Sequence, residues 1–239
     1  MFMLHRRLPA AAVTLIAVLA LVGCEPPPQV VRSPDSTWEA VTLTDDTTDA
    51  GTDTYLLAGD AEVTTVTASL ANHGGNTRIG FVARTDPTVD HGACVTVAGS
   101  TNDFRQEGVL VRWTGTRGVT VTKGVWAGVN TVANVHTWDL TAPADQRFTQ
   151  IAQFPLTGLG WPKATAVPLP WRICASVTGP TLTFKVWPLA MAEPADGDPC
   201  CTGTVTVPWV EAGRAGWYAG HLQPGHTLVY RDLATTVTG

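Results

Sequence analysis

Four cations and one indole ring are the side chains of this sequence best suited to holding a polar ligand: Arg84, Arg112, Arg172, Lys185 and Trp187. An aromatic face gives a ring an apolar platform, and Arg donates a planar fork of hydrogen bonds to hydroxyls or carboxylates. Arg84 follows GFVA, Arg112 sits in VLVRW, Arg172 opens WRICASV, and Lys185 and Trp187 alternate in LTFKVWP. All five therefore belong to strand segments, and they share a surface only if the outer faces of those strands form one concave sheet. On opposite sheets they cannot cooperate. A solvated strand face accounts for any single arginine equally well, and most of the nine tryptophans of a sandwich are core or sheet-covering residues.

The other reactive side chains form no catalytic signature. Two carboxyl groups must flank a glycosidic bond at about 5–9.5 Å for hydrolysis, whereas Glu25, Glu39, Glu62, Glu107, Glu193 and Glu211 are scattered singly. Distant carboxylates can converge in a fold, so spacing disfavours an enzyme and leaves the question open. His221 and His226 flank a Pro-Gly turn, for which turn chemistry is the simpler account. G-x-S-x-G, H-E-x-x-H and a phosphate-cradling glycine loop are absent. Asp45, Asp46, Asp49 and Asp53 are hard oxygen donors for a structural Ca²⁺, but their spacing departs from the D-x-[DN]-x-[DN]-G pattern and suits a solvated loop better. No other cofactor or metal is expected.

The chain opens with His5, Arg6 and Arg7, then an apolar run from Leu8 to Val22 ending in LVGC. The run is shorter than the roughly 20 residues of a membrane span. A basic start, a short apolar core and a small residue before the cut define an export signal over residues 1–23. LVGC resembles a bacterial lipobox, which makes Cys24 the lipidation site and places the mature protein on the extracytoplasmic face of a membrane. Residues 24–37 then form a Pro-rich tether, semi-rigid and extended. Without Arg6 and Arg7, 13 basic residues face 20 acidic ones, a formal net charge of −7 that argues against nucleic-acid partners.

Residues 38–239 are rich in Thr, Val, Gly and Trp and show neither a sustained 3.6-residue period nor an internal repeat. Trp171, Ile173, Ala175 and Val177 alternate with Arg172, Cys174 and Ser176, and after the turn at Gly179-Pro180 the residues Leu182, Phe184 and Val186 alternate with Thr183, Lys185 and Trp187. This is a hairpin with one face in the core. Similar patterns predict strands at Trp38–Leu43, in AEVTTVTASLA and NTRIGFVARTD as a pair joined around Asn72–Asn76, in ACVTVAG, EGVLVRW and GVTVTKG, at Phe148–Phe154, and in three segments after the loop MAEPADGDPCCTG. About ten strands match two packed antiparallel sheets. The expected fold is one all-β, two-sheet antiparallel jelly-roll sandwich.

Cys94, Cys174, Cys200 and Cys201 are an even number outside a reducing compartment, so disulfides are expected, with three possible connectivities. Alternation turns Cys94 and Cys174 off the core face, where they can pair across neighbouring strands and leave Cys200–Cys201 as a vicinal bridge. The alternative staples the Cys200-Cys201 loop to both strands. The four lack the paired spacing of a zinc site.

The C-terminal third resembles the concanavalin A-like lectin/glucanase sandwiches, in particular the LamG-like jelly rolls of exported bacterial proteins. The resemblance lies in Trp171-Arg172, Gly179, the run Leu182 to Trp187 followed by Pro188, Glu193-Pro194, Ala212–Gly216 and Tyr230-Arg231-Asp232, with Gly80–Arg84 similar to the family's first inner strand. It implies a sandwich that binds carbohydrate, cleaves it, or serves as an adhesion module recognising protein. Relatives that cleave polysaccharide carry an E-x-D-x-E-like strand, which this chain lacks. The expectation is a membrane-anchored lipoprotein that binds carbohydrate or cell-wall glycan without catalysis.

Overall fold

The computed structural model of the chain describes residues 38–44, 55–59, 63–68, 78–101, 105–126, 130–161 and 167–237. The leader, Cys24, the tether and the four aspartates of the acidic loop lie outside the described residues. The described residues hold fourteen strands, in order: β1 (Trp38–Thr44), β2 (Tyr55–Gly59), β3 (Val63–Ala68), β4 (Arg78–Ala83), β5 (His91–Ser100), β6 (Gln106–Trp113), β7 (Arg117–Trp126), β8 (Asn130–Asp139), β9 (Phe148–Pro155), β10 (Trp171–Thr178), β11 (Thr181–Pro188), β12 (Thr202–Thr206), β13 (Arg214–Gly220) and β14 (Thr227–Val237). Among the described residues the helical elements are two short 3-10 turns, Ala144–Gln146 and Thr157–Leu159.

The strands form two seven-stranded antiparallel sheets. Sheet A has the order β1-β4-β13-β6-β7-β8-β9, and sheet B the order β12-β11-β10-β5-β14-β3-β2. Neighbours distant in sequence, such as β4 beside β13 and β5 beside both β10 and β14, are the crossovers of a jelly roll. The predicted β10–β11 hairpin forms, in a register that runs from Trp171 opposite Pro188 to Thr178 opposite Thr181. The predicted pairing of β3 with β4 does not form. β3 pairs β2 and β14 in sheet B, while β4 lies between β1 and β13 in sheet A. Two strands beyond the predicted set, β2 and β8, complete the sheets.

Alternation places one face of each sheet in a shared core. Ile79, Phe81, Val109, Val119, Val135 and Trp217 of sheet A meet Val95, Val97, Trp171, Ile173, Val186 and Tyr230 of sheet B, all nearly or fully buried. The Phe81 and Trp217 rings stack at 3.7 Å, and Phe154 meets Phe184 edge-on at 5.0 Å. Burying each such side chain stabilises the sandwich by about 1.5–3 kcal/mol. The outer face of sheet A carries a second apolar cluster of Leu43, Val82, Leu110, Trp113, Trp138 and Tyr218. Gly118 permits it, because a Cβ there would lie 2.9 Å from the Trp113 ring.

Candidate functional site

The five candidate ligand residues divide between the sheets, so they do not form one surface. Arg84 follows β4, beside the edge strand β1 of sheet A, and donates Nε to the Trp38 carbonyl at 3.2 Å, exposed to solvent. Arg112 is fully buried, with a backbone φ of 54° at a bulge between β6 and β13. Its guanidinium donates to the carbonyls of Gly179 at 2.5 Å and Trp209 at 2.7 Å, which makes it a bracket for loops at one end of the sandwich. Trp187 lies opposite Arg172 in the β10–β11 register but is only 4% exposed. It offers no open platform, because alternation shows which side of a sheet a ring takes and not whether that side is covered.

Arg172 and Lys185 do come together. They line a groove of about 450 Å³ on the outer face of sheet B. Its walls add Ser176, Thr183, Thr202 and Thr204, side by side on β10, β11 and β12. Ser176 and Thr183 share a hydrogen bond at 2.9 Å, and Arg172 Nη1 donates to Thr96 Oγ1 at 2.8 Å. One rim is the loop after β11, whose Glu193 and Asp196 carboxylates lie 3.0 and 2.8 Å from Lys185 Nζ. Hydrogen bonds donated to Asp196 and then to Glu193 hold the Lys185 ammonium above its ordinary pKa. The groove is thus a row of hydroxyls ending in a cation between two anions.

The Cys94–Cys174 disulfide also lines this groove, joining residues directly opposite in the β5–β10 register. Cys200 and Cys201 are bonded to each other. Among the described residues, the group nearest a metal-ligand arrangement is Asp198 with Cys200 and Cys201, and there the sulfurs are already bonded.

A second constellation, invisible in the sequence, lies on the outer face of sheet A. Arg78 (β4), Tyr218 (β13), Gln106 (β6), His136 and Trp138 (β8) and Phe148 (β9) line a narrow recess of about 20 Å³. The Arg78 guanidinium carbon lies 5.2 Å from the Phe148 ring centre and 5.9 Å from that of Trp138, within cation–π range. Tyr218 donates its hydroxyl to Gln106 Oε1 at 3.2 Å, and Trp138 donates its indole N–H to Thr120 at 3.0 Å. Burial, aided by the Arg78 charge, presses the His136 pKa down to about 4, so its imidazole is neutral near pH 7. Burial raises the Tyr218 phenol far above its ordinary value. Each strand contributes one or two residues, so no local spacing announces the group.

No family model matches the sequence, and no curated protein matches it. Among solved structures, the chain is similar to a legume lectin-like domain from Entamoeba histolytica, at 7% identity over 85% of this chain and 91% of that one, with a TM-score of 0.51. It is also similar to a functionally unknown protein from Saccharomyces cerevisiae, at 13% identity over 85% of this chain and 98% of that one, again with a TM-score of 0.51. At these identities the fold is what is shared. The chain is a two-sheet antiparallel jelly-roll sandwich.

Proposed function

We propose that the chain is an exported lipoprotein, anchored through Cys24 on the extracytoplasmic face of a bacterial membrane, whose LamG-like domain binds carbohydrate or cell-wall glycan without cleaving it. The observation that carries the binding reading is the sheet B groove, where Arg172 and Lys185 meet four side-chain hydroxyls. Sugars are recognised by many modest hydrogen bonds, each worth about 0.5–1.5 kcal/mol net, and charge-assisted donors strengthen them. The likeness to a lectin-like domain agrees with this use of the fold. Fold alone does not determine function; the groove's cations and hydroxyls are what support glycan binding.

One observation favours a second reading, glycan cleavage. Glu193 and Asp196 reach the same ammonium, and both carboxylate oxygens lie within 3.0 Å of it, so they are no more than about 6 Å apart. That bound rules out the wider spacing of an inverting pair, about 6.5–9.5 Å, and leaves room only for the roughly 5–5.5 Å of a retaining one. Against it, both are exposed, stand on one short loop and are neutralised by Lys185 rather than facing each other across a cleft. The test is to incubate the full chain with a panel of polysaccharides and assay binding and released reducing ends in the same wells. Binding without release is the expected result. Release abolished by Glu193→Gln would establish the enzyme instead.

A further inference from the structure

We propose that the recess on the outer face of sheet A is a second ligand site, which receives the carboxylate of an acidic sugar unit while the sugar ring lies against Phe148. The inference shares only its ligand class with the groove reading and rests on different residues, on the opposite side of the molecule.

Size comes first. About 20 Å³ admits one or two waters, so the recess accepts a small polar group and excludes a ring. The ring of any ligand must therefore stay outside. Phe148, on the edge strand β9 and 41% exposed, is the apolar surface available there. Its neighbours Trp138, at 5.4 Å between ring centres, and His136, at 5.9 Å, hold it in place.

Charge and hydrogen-bond polarity come second. The recess is lined by one cation, Arg78, by the amide of Gln106, by the neutral imidazole of His136 and by the phenol of Tyr218. Among the described residues no carboxylate lines it, in contrast to the groove on sheet B. Arg78 is fixed rather than free: its Nη2 lies 3.0 Å from His221 Nε2, and two aromatic rings pack beside it. A positioned guanidinium spends little rotamer freedom on binding and matches a planar carboxylate. Gly220 belongs to the same design, because a Cβ there would meet the Tyr218 hydroxyl at 2.6 Å and the Arg78 side chain at 3.2 Å. A neutral sugar brings no group that uses the cation.

The test uses the full chain with methyl β-glucuronide as probe and methyl β-glucoside as its neutral counterpart, reading the side-chain NMR signals of His136 and Trp138 during titration. The uronide is expected to shift both signals saturably and the glucoside to shift neither. Phe148→Ala, at an exposed edge position, should weaken uronide binding about tenfold, and Arg78→Lys should weaken it at least as much although charge is retained. Lys185→Ala, in the sheet B groove, should leave it unchanged. Equal shifts with the glucoside, no saturable shift with the uronide, or sensitivity to Lys185→Ala but not to Phe148→Ala would each overturn the proposal. Polysaccharide binding that depends on Lys185 would survive all three results, so the two sites stand or fall separately.

Discussion

The imidazole of His91, on sheet B, accepts a hydrogen bond at Nε2 from the backbone amide of Arg112, on sheet A, at 2.7 Å. Its other nitrogen lies 2.9 Å from the Thr88 carbonyl, so Nδ1 carries the proton and the ring is neutral. Burial lowers the His91 pKa, and the nearby Arg112 charge lowers it further. His136 is depressed in the same way, to about 4. A histidine whose folded pKa lies below its unfolded value of 6.5 binds fewer protons when folded, so its stabilisation is full above about pH 6.5 and is lost as pH falls toward 4. The thermal midpoint should therefore drop between about pH 7 and pH 4.5, and His91→Gln should blunt the drop. A midpoint that rises over this interval would contradict the assignment.

Arg112 should prove structural. Arg112→Met keeps much of the volume but leaves the Gly179 and Trp209 carbonyls without their donor, at a cost of about 3 kcal/mol. Arg112→Lys should recover only part of this, because one ammonium cannot reproduce the planar fork. Urea denaturation of the variants measures both, and wild-type stability in Arg112→Met would refute the bracketing role.

Glu107 is fully buried on the core face of β6, opposite Lys123 of β7, with its carboxylate 2.9 Å from Arg105 Nε and 3.5 Å from Lys123 Nζ. Removing the anion leaves two buried cations facing each other. Glu107→Ala should cost about 3–5 kcal/mol, whereas apolar replacement of all three residues should cost far less. Equal losses in the single and triple variants, measured by chemical denaturation, would show that packing and not charge governs this end of the core.

The two disulfides should differ in worth. Cys94–Cys174 closes a separation of 80 residues and should contribute about 2–4 kcal/mol, mainly by restricting the unfolded chain. Cys200–Cys201 joins adjacent residues and closes no loop of consequence. Serine pairs at each position, compared by thermal denaturation, should rank in that order, and the reverse ranking would refute the loop-closure account.

What was legible in the sequence was what period 2 encodes. The β10–β11 hairpin, the inward Val95 and Val97, and the outward side of Cys94 and Cys174 follow from alternation, while the choice of Cys94–Cys174 over a staple to the Cys200-Cys201 loop needed the β5–β10 register. Alternation says nothing about which strands become neighbours, so β3 and β4, close in sequence, read as a pair although the fold assigns them to different sheets. Nor does it show whether an outward face is covered, and so Trp187 read as a platform although it is buried. β8 is hard to read because Asn134 and His136 share a face with the apolar Trp138, a mixture that makes sense only once the outer face of sheet A carries its own cluster. The recess drew on five strands at once, and only the assembled sheet brings Arg78 beside Phe148.

The measurement that bears most directly on the central claim is the affinity of the full chain for the polysaccharide it retains best, compared with Arg172→Ala and Lys185→Ala by isothermal titration. Each substitution removes a charge-assisted donor from the sheet B groove and should weaken binding by about 10–100-fold while leaving the thermal midpoint nearly unchanged. Unaltered affinity in both variants would contradict the account and move glycan recognition away from the groove.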